Sequence, residues 1–107
     1  MITDKLKELK SIDPDLWIEI CYFGGELNGK LDYIQGCIQR EIERRKWYWQ
    51  AEKFYNTYYV TITIPFECAP DENFRSHGKT TMAEVFLEAY LKAINWYQQL
   101  VYSKTIK

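Results

Sequence analysis

The residues best suited to chemistry lie together between Asn73 and Glu84, where the chain reads N-F-R-S-H-G-K-T-T-M-A-E. Arg75, Ser76, His77, Lys79, Thr80 and Thr81 bring two cations, the only histidine of the sequence and three hydroxyls into one short stretch. Unpaired amides at a helix start attract anions, helped by the helix dipole. Arg, Lys and Thr side chains add hydrogen bonds to a phosphate. G-K-T-T resembles the end of a P-loop, but that motif needs a glycine five residues before Gly78, where Asn73 stands, and a buried strand leading into it. NTP hydrolysis is therefore set aside, and the weaker claim of a simple phosphate site at the helix start survives. The alternative is that Thr81 only caps the helix, with Arg75 and Lys79 in water.

A second group of candidates is aromatic. Trp47, Tyr48, Trp49, Phe54, Tyr55, Tyr58 and Tyr59 cannot all point inward, because neighbours along a strand face opposite sides of a sheet. Rings such as Trp47, Trp49 and Tyr59 can stack on a nucleobase, a contact that contributes about 1 to 3 kcal/mol per base in single-strand binders. They can equally form a subunit interface or fill a second buried face. Cys21 and Cys37 share faces with apolar residues and read as core thiols. Cys68 lies nine residues before His77, so a Cys and His pair is conceivable, without a visible orienting group. His77 with Asp71 and Glu72 lacks metal-ligand spacing, and no metal or cofactor is expected. Arg44, Arg45 and Lys46, preceded by Glu41 and Glu43, read as a solvated helix face with spaced ion pairs.

Elements that position these residues follow from the periodicity. Thr3 can cap a short helix over Asp4 to Lys10. Asp13 before Pro14 is a second start signal, a cap followed by proline at the first helical position, and Gly24 and Gly25 stop that helix. Leu27, Asn28 and Gly29 read as a turn. Leu31, Ile34, Cys37, Ile38 and Ile42 recur every three or four residues, predicting a helix to about Arg45. The period then changes to two. Trp47 to Phe54 and Tyr58 to Pro65 read as strands, joined by a hairpin at Tyr55, Asn56 and Thr57, where Asn tolerates positive φ. Phe74 to His77 reads as a short third strand. Thr81 and Glu84 form a capping box. Met82, Val85, Phe86, Ala89, Ala93, Tyr97, Leu100 and Val101 then make one apolar stripe on a helix running to about Tyr102, with Lys104 and Lys107 near its negative end. The pattern predicts a single α+β domain over residues 1–107: a small antiparallel sheet of two to four strands packed against helices, closed by a long C-terminal helix.

Composition sets the outer bounds. In 107 residues, 47% are apolar and 27% charged, as in ordinary globular chains. A formal net charge of −1 argues against a partner as long and anionic as nucleic acid. Aromatic residues reach 17%, with nine Tyr and four Trp, a surplus that suggests rings facing a ligand or a second subunit. Three cysteines without metal spacing and a charged start, M-I-T-D-K-L-K-E-L-K, predict a soluble protein of the reducing cytoplasm. No run approaches the ~18 apolar residues of a membrane span.

The D-P-D-L-W-I-E-I helix paired with the closing segment H-G-K-T-T-M-A-E-V-F-L-E-A-Y-L-K-A-I resembles the phage ABA-sandwich domain, a family of small phage-encoded proteins. In that family a helical first half also leads into aromatic-rich strands, and a polar loop enters a closing helix with an A-L-K-A-like end, matched here by Ala89, Tyr90, Leu91, Lys92 and Ala93. The likeness spans about Ser11 to Tyr97, and this chain departs from it in its charged middle helix, Q-R-E-I-E-R-R. The resemblance implies an α-β-α sandwich and a phage or prophage origin, hence the cytoplasm of an infected bacterium. It supplies no catalytic residue.

The leading expectation is thus a non-enzymatic protein that sequesters a small phosphate-bearing ligand, a nucleotide signal of bacterial immunity, as a homo-oligomer enclosing it. Arg75, Ser76, His77, Lys79, Thr80 and Thr81 would hold phosphate or ribose, and Trp47, Trp49 or Tyr59 would stack. The competing expectation is a protein-interaction module that blocks a host defence or replication protein. A small hydrolase using Cys68 or His77 is the third.

Overall fold

The computed structural model describes residues 2–22, 30–67 and 69–106, with side chains to Val101. The expected stop at Gly24 and Gly25, the turn at Leu27 to Gly29, Cys68 and Lys107 lie outside the described residues.

Four helices and three strands follow in the order α1 (Ile2–Ile12), α2 (Pro14–Cys21), α3 (Leu31–Arg44), β1 (Tyr48–Phe54), β2 (Thr57–Ile64), β3 (Glu72–Gly78) and α4 (Met82–Ile106). The fold is α+β, with an antiparallel sheet of order β1-β2-β3 and a long C-terminal helix. Helix α1 begins at Ile2, so Thr3 lies inside it rather than capping it. It also runs past Lys10 to Ile12, and the Asp13 N–H still donates to Leu9 O at 2.7 Å. Pro14 disfavours helical backbone at the residue before it, and Asp13 (φ −138°, ψ 75°) is where α1 breaks and α2 starts. Its carboxylate accepts from Leu16 N at 3.3 Å. One residue therefore ends one helix and caps the next.

Helix α3 ends in a Schellman motif: Trp47 N–H donates to Ile42 O at 3.0 Å and Lys46 N–H to Glu43 O at 2.9 Å. The left-handed position this motif requires is filled by Lys46, at φ 63°, where glycine would avoid about 1 kcal/mol of steric cost. The hairpin is tighter than expected, since Phe54 pairs with Thr57 and only Tyr55 and Asn56 lie between. Positive φ falls on Tyr55 (55°) rather than on Asn56.

Helix α4 lies against β2 and β3 on one side and against α1 and α3 on the other. The single expected stripe holds at Val85, Phe86, Ala89 and Ala93. A second one, Leu87, Tyr90, Leu91 and Ile94, is equally buried. A helix packed on two sides must be apolar most of the way round. At Val101 the stripe has already run out into solvent. Each fully buried side chain such as Phe86 or Ile62 contributes about 1.5 to 3 kcal/mol of transfer free energy. Where β3 ends, a Cβ on Gly78 would come within 3.2 Å of Val85 Cγ2, so the absence of a side chain lets the strand close onto α4.

Register assigns the two faces of the sheet. Val60, Ile62 and Ile64 of β2, opposite Trp49 and Ala51 of β1 and Phe74 and Ser76 of β3, face α4. The outer face presents Tyr48, Gln50, Glu52 and Phe54 from β1, Tyr59, Thr61 and Thr63 from β2, and Asn73, Arg75 and His77 from β3. No described helix packs on that face.

Candidate functional site

Three of the expected ligand residues meet on the outer face. Tyr59 pairs with His77 across β2 and β3, and their rings stack with centroids 6.0 Å apart and planes 27° from parallel. Arg75 stands one row along, opposite Thr61. Its guanidinium is exposed and has no ion-pair or hydrogen-bond partner among the described residues. Its backbone carbonyl, on the sheet edge, accepts from Lys92 Nζ at 2.9 Å, which ties β3 to α4. Farther along, Thr63 Oγ1 donates to Asn73 Oδ1 at 2.7 Å. Tyr48 and Phe54 complete the surface, both more than half exposed.

The other expected residues are elsewhere. Ser76 alternates with Arg75 and His77 and so points inward, buried, with its Oγ unpaired. Trp49 also faces inward, edge-on to Phe86 at 5.3 Å. Trp47 belongs to the core, 7% exposed, between Tyr97 at 5.4 Å and Tyr90 at 6.5 Å, with the Arg45 guanidinium 5.1 Å from its ring. Neither tryptophan can stack on a ligand held by Arg75 and His77. A strand interior admits only one parity per face, and Trp47, Trp49 and Ser76 have the inward one.

At the start of α4, Thr81 Oγ1 accepts the Glu84 N–H at 3.2 Å, the cap that was expected. The Glu84 carboxylate occupies the same turn, accepting from Thr80 Oγ1 at 2.5 Å and pairing with Lys5 at 3.2 Å. The Thr80 hydroxyl holds this carboxyl below its ordinary range, with Lys5 adding to the effect against the cost of burial. An acid of the chain itself therefore stands where an incoming phosphate would bind, which separates Thr80 and Thr81 from the role of phosphate donors. Lys79 is exposed beside them.

A polar cluster that sequence reasoning missed lies in the interior. Tyr90 donates to Asp13 Oδ2 at 2.5 Å, and Arg45 reaches the same oxygen at 3.4 Å. Arg45 Nε approaches Glu41 Oε2 at 3.3 Å, Arg44 bridges Glu41 and Glu19, and Arg40 also meets Glu19. Arg45 and Glu41 are thus not a solvated face. Burial drives the Tyr90 hydroxyl well above its ordinary range, and its hydrogen bond to Asp13 adds to this. Burial likewise raises Glu41 despite Arg45 and Arg44 beside it. For Arg45 burial works against the charge, but Tyr90, Glu41 and Asp13 outweigh it and keep the guanidinium charged. The signal was present: Glu41 follows Ile38 by three positions and Arg45 follows Ile42 by three, so both share the apolar side of α3.

Burial also raises the thiols of Cys37 and Cys21, which makes them poor nucleophiles. Among the described residues no group of three or more His, Cys, Asp or Glu is placed to hold a metal ion, and no helix is long and apolar enough to cross a membrane. A cleft of about 410 Å³ opens beside Trp47, between Arg45, Lys46, Phe66 and Tyr97. Two others of about 320 Å³ lie along α4, one toward Lys5 and Glu8 and one toward Phe66 and Pro70. None of these three is lined by Tyr59, Arg75, His77, Lys79, Thr80 or Thr81.

No family model matches the chain, and neither a curated protein nor a solved structure does.

Proposed function

We propose that the protein is a non-enzymatic binding module that covers part of another protein with the outer face of its sheet. One observation carries this: Tyr59, His77 and Arg75 meet on an open face that also exposes Phe54 toward one end and Tyr48 toward the other. Tyr and Arg are the residues that most often anchor protein interfaces, and a flat surface suits a macromolecule better than a small molecule, whose sites are concave. Through its resemblance to phage proteins, the partner fits a host defence or replication protein, met in the bacterial cytoplasm.

A second reading keeps the phosphate-bearing ligand, a nucleotide sequestered on the same face. It is favoured by the position of Arg75 one row from the Tyr59 and His77 ring pair, a cation for phosphate beside a platform for a base. Such a ligand would need a second copy of the chain to enclose it, and with it a homo-oligomer.

One experiment separates the two. The protein, with a photo-crosslinking residue at Phe54, is recovered from its bacterial host, and the products are divided into crosslinked proteins and small molecules released on denaturation. A single crosslinked protein, lost in Tyr59→Ala with Arg75→Ala, supports the first reading. An intact nucleotide released from the wild type and lost in the same variant supports the second. If the paired substitution changes neither, the outer face is not the site.

A further inference from the structure

Beyond the outer face, we infer that the cleft at the end of α3 binds a small aromatic monocarboxylate. It lies at the far end of the sheet from the Tyr59 and His77 pair, next to the row Tyr48, Thr63 and Asn73, and is independent of the function proposed above. Its volume of about 410 Å³ falls within the range of small-molecule sites.

The walls are aromatic, from Trp47, Phe66 and Tyr97. Arg45 lines the cleft but spends its charge on Asp13 and Glu41. Lys46 is the cation left over, with no ion-pair partner among the described residues. Glu67 stands on the rim, so one negative charge on the ligand is matched and a second would be repelled. A flat apolar body against the rings and a single carboxylate at Lys46 satisfy the site.

Lys46 supplies the second line of support. Its backbone occupies the left-handed position of the Schellman motif, φ 63°, which glycine fills without strain. A charged side chain kept there at a steric cost, on the lining of an aromatic cleft, fits a binding role, since strain gathers at such sites. Stability and binding should therefore move in opposite directions when it is removed.

The test is a titration of the whole protein with 2-naphthoate, followed by amide NMR shifts, with 2-naphthalenemethanol as the uncharged analogue. Saturable one-to-one binding is expected, with shifts centred on Arg45, Lys46, Trp47, Phe66 and Tyr97 and affinity at least tenfold higher than for the alcohol. Lys46→Gly should raise the melting temperature by a few degrees while weakening naphthoate at least tenfold, and Lys46→Arg should retain binding. The inference is overturned if naphthoate fails to saturate, if the alcohol binds as well, if the shifts centre on Tyr59 and His77, or if the more stable Lys46→Gly variant binds with unchanged affinity.

Discussion

Asp13, Tyr90 and Arg45 in the interior, and Tyr59, His77 and Arg75 on the outer sheet face, draw on similar side chains in opposite circumstances. Inside, a tyrosine hydroxyl, a guanidinium and a backbone N–H all converge on one carboxylate. Outside, the tyrosine ring lies on a histidine and the Arg75 guanidinium has no partner among the described residues. Buried polar groups are tolerated best when they satisfy one another, and the inner set does so at Asp13 while Arg45 Nε is left to its charge pairing with Glu41. The outer set answers to solvent, and can be changed without opening the core. The interior cluster also joins the α1–α2 junction, the end of α3 and the middle of α4, whereas the outer trio joins only two strands.

The strongest way to break the contrast is Asp13→Ala. It removes the α2 cap and leaves the Tyr90 hydroxyl and part of the Arg45 charge without an acceptor. A loss of about 3 kcal/mol is expected in urea unfolding. Tyr90→Phe removes only the donor, leaving Asp13 with Leu16 N and Arg45, and should cost about 1 to 2 kcal/mol. If Asp13→Ala behaved like a surface change, the interior cluster would be ornamental to stability and the comparison would fail.

Two carboxylates sharpen it through pH. Glu41 has its folded value raised above the ordinary 4.5, so the native state binds more protons than the unfolded chain between 4.5 and the raised value. Its contribution to stability falls as pH rises through that window. Glu84 has its folded value lowered from 4.5, so its contribution is present above 4.5 and is lost as pH falls through the lowered value. Glu41→Gln should flatten the decline of stability above pH 4.5, and Glu84→Gln should flatten the acid limb below it. Unfolding curves at a series of pH values check both, and exchanged effects would mean that the burial of Glu41 does not outweigh its arginines.

Period and punctuation made most of the fold legible in the sequence. Asp13 before Pro14, the three-and-four spacing of Ile34 to Ile42, the alternation in Y-Y-V-T-I-T-I and the Thr81 cap each correspond to a local physical preference that tertiary packing did not override. The site was less legible because it depends on which face a residue takes. Parity within N-F-R-S-H-G already separates Ser76 from Arg75 and His77 once the stretch is a strand, and it separates Tyr48 from Trp47 and Trp49. Which parity is inward, however, follows from α4 packing over Val60, Ile62 and Ile64, a long-range fact. The second stripe of α4, Leu87, Tyr90, Leu91 and Ile94, was similarly hidden, because one buried side suffices to explain a helix until a second layer is known to cover it. The Thr81 and Glu84 box was legible, but the Lys5 contact that adds to the hold on the Glu84 carboxylate comes from 79 residues away in sequence.

The smallest expected effect on folding is also the most informative about function. Arg75→Ala and Tyr59→Ala lie on a face that no described helix covers, and Arg75 gives up no ion pair. Their combined cost should stay within about 0.5 kcal/mol, as for surface changes in general, with the loss of the Tyr59 contact to His77 the larger part. A variant this close to native stability can be compared with wild type for binding without correcting for unfolded protein. Its loss of a partner would then belong to the outer face itself. A cost above about 2 kcal/mol, in the range of core truncations, would instead mean that the face is covered in the native protein, most simply by a second copy of the chain, and a concentration-dependent melting temperature would reveal it.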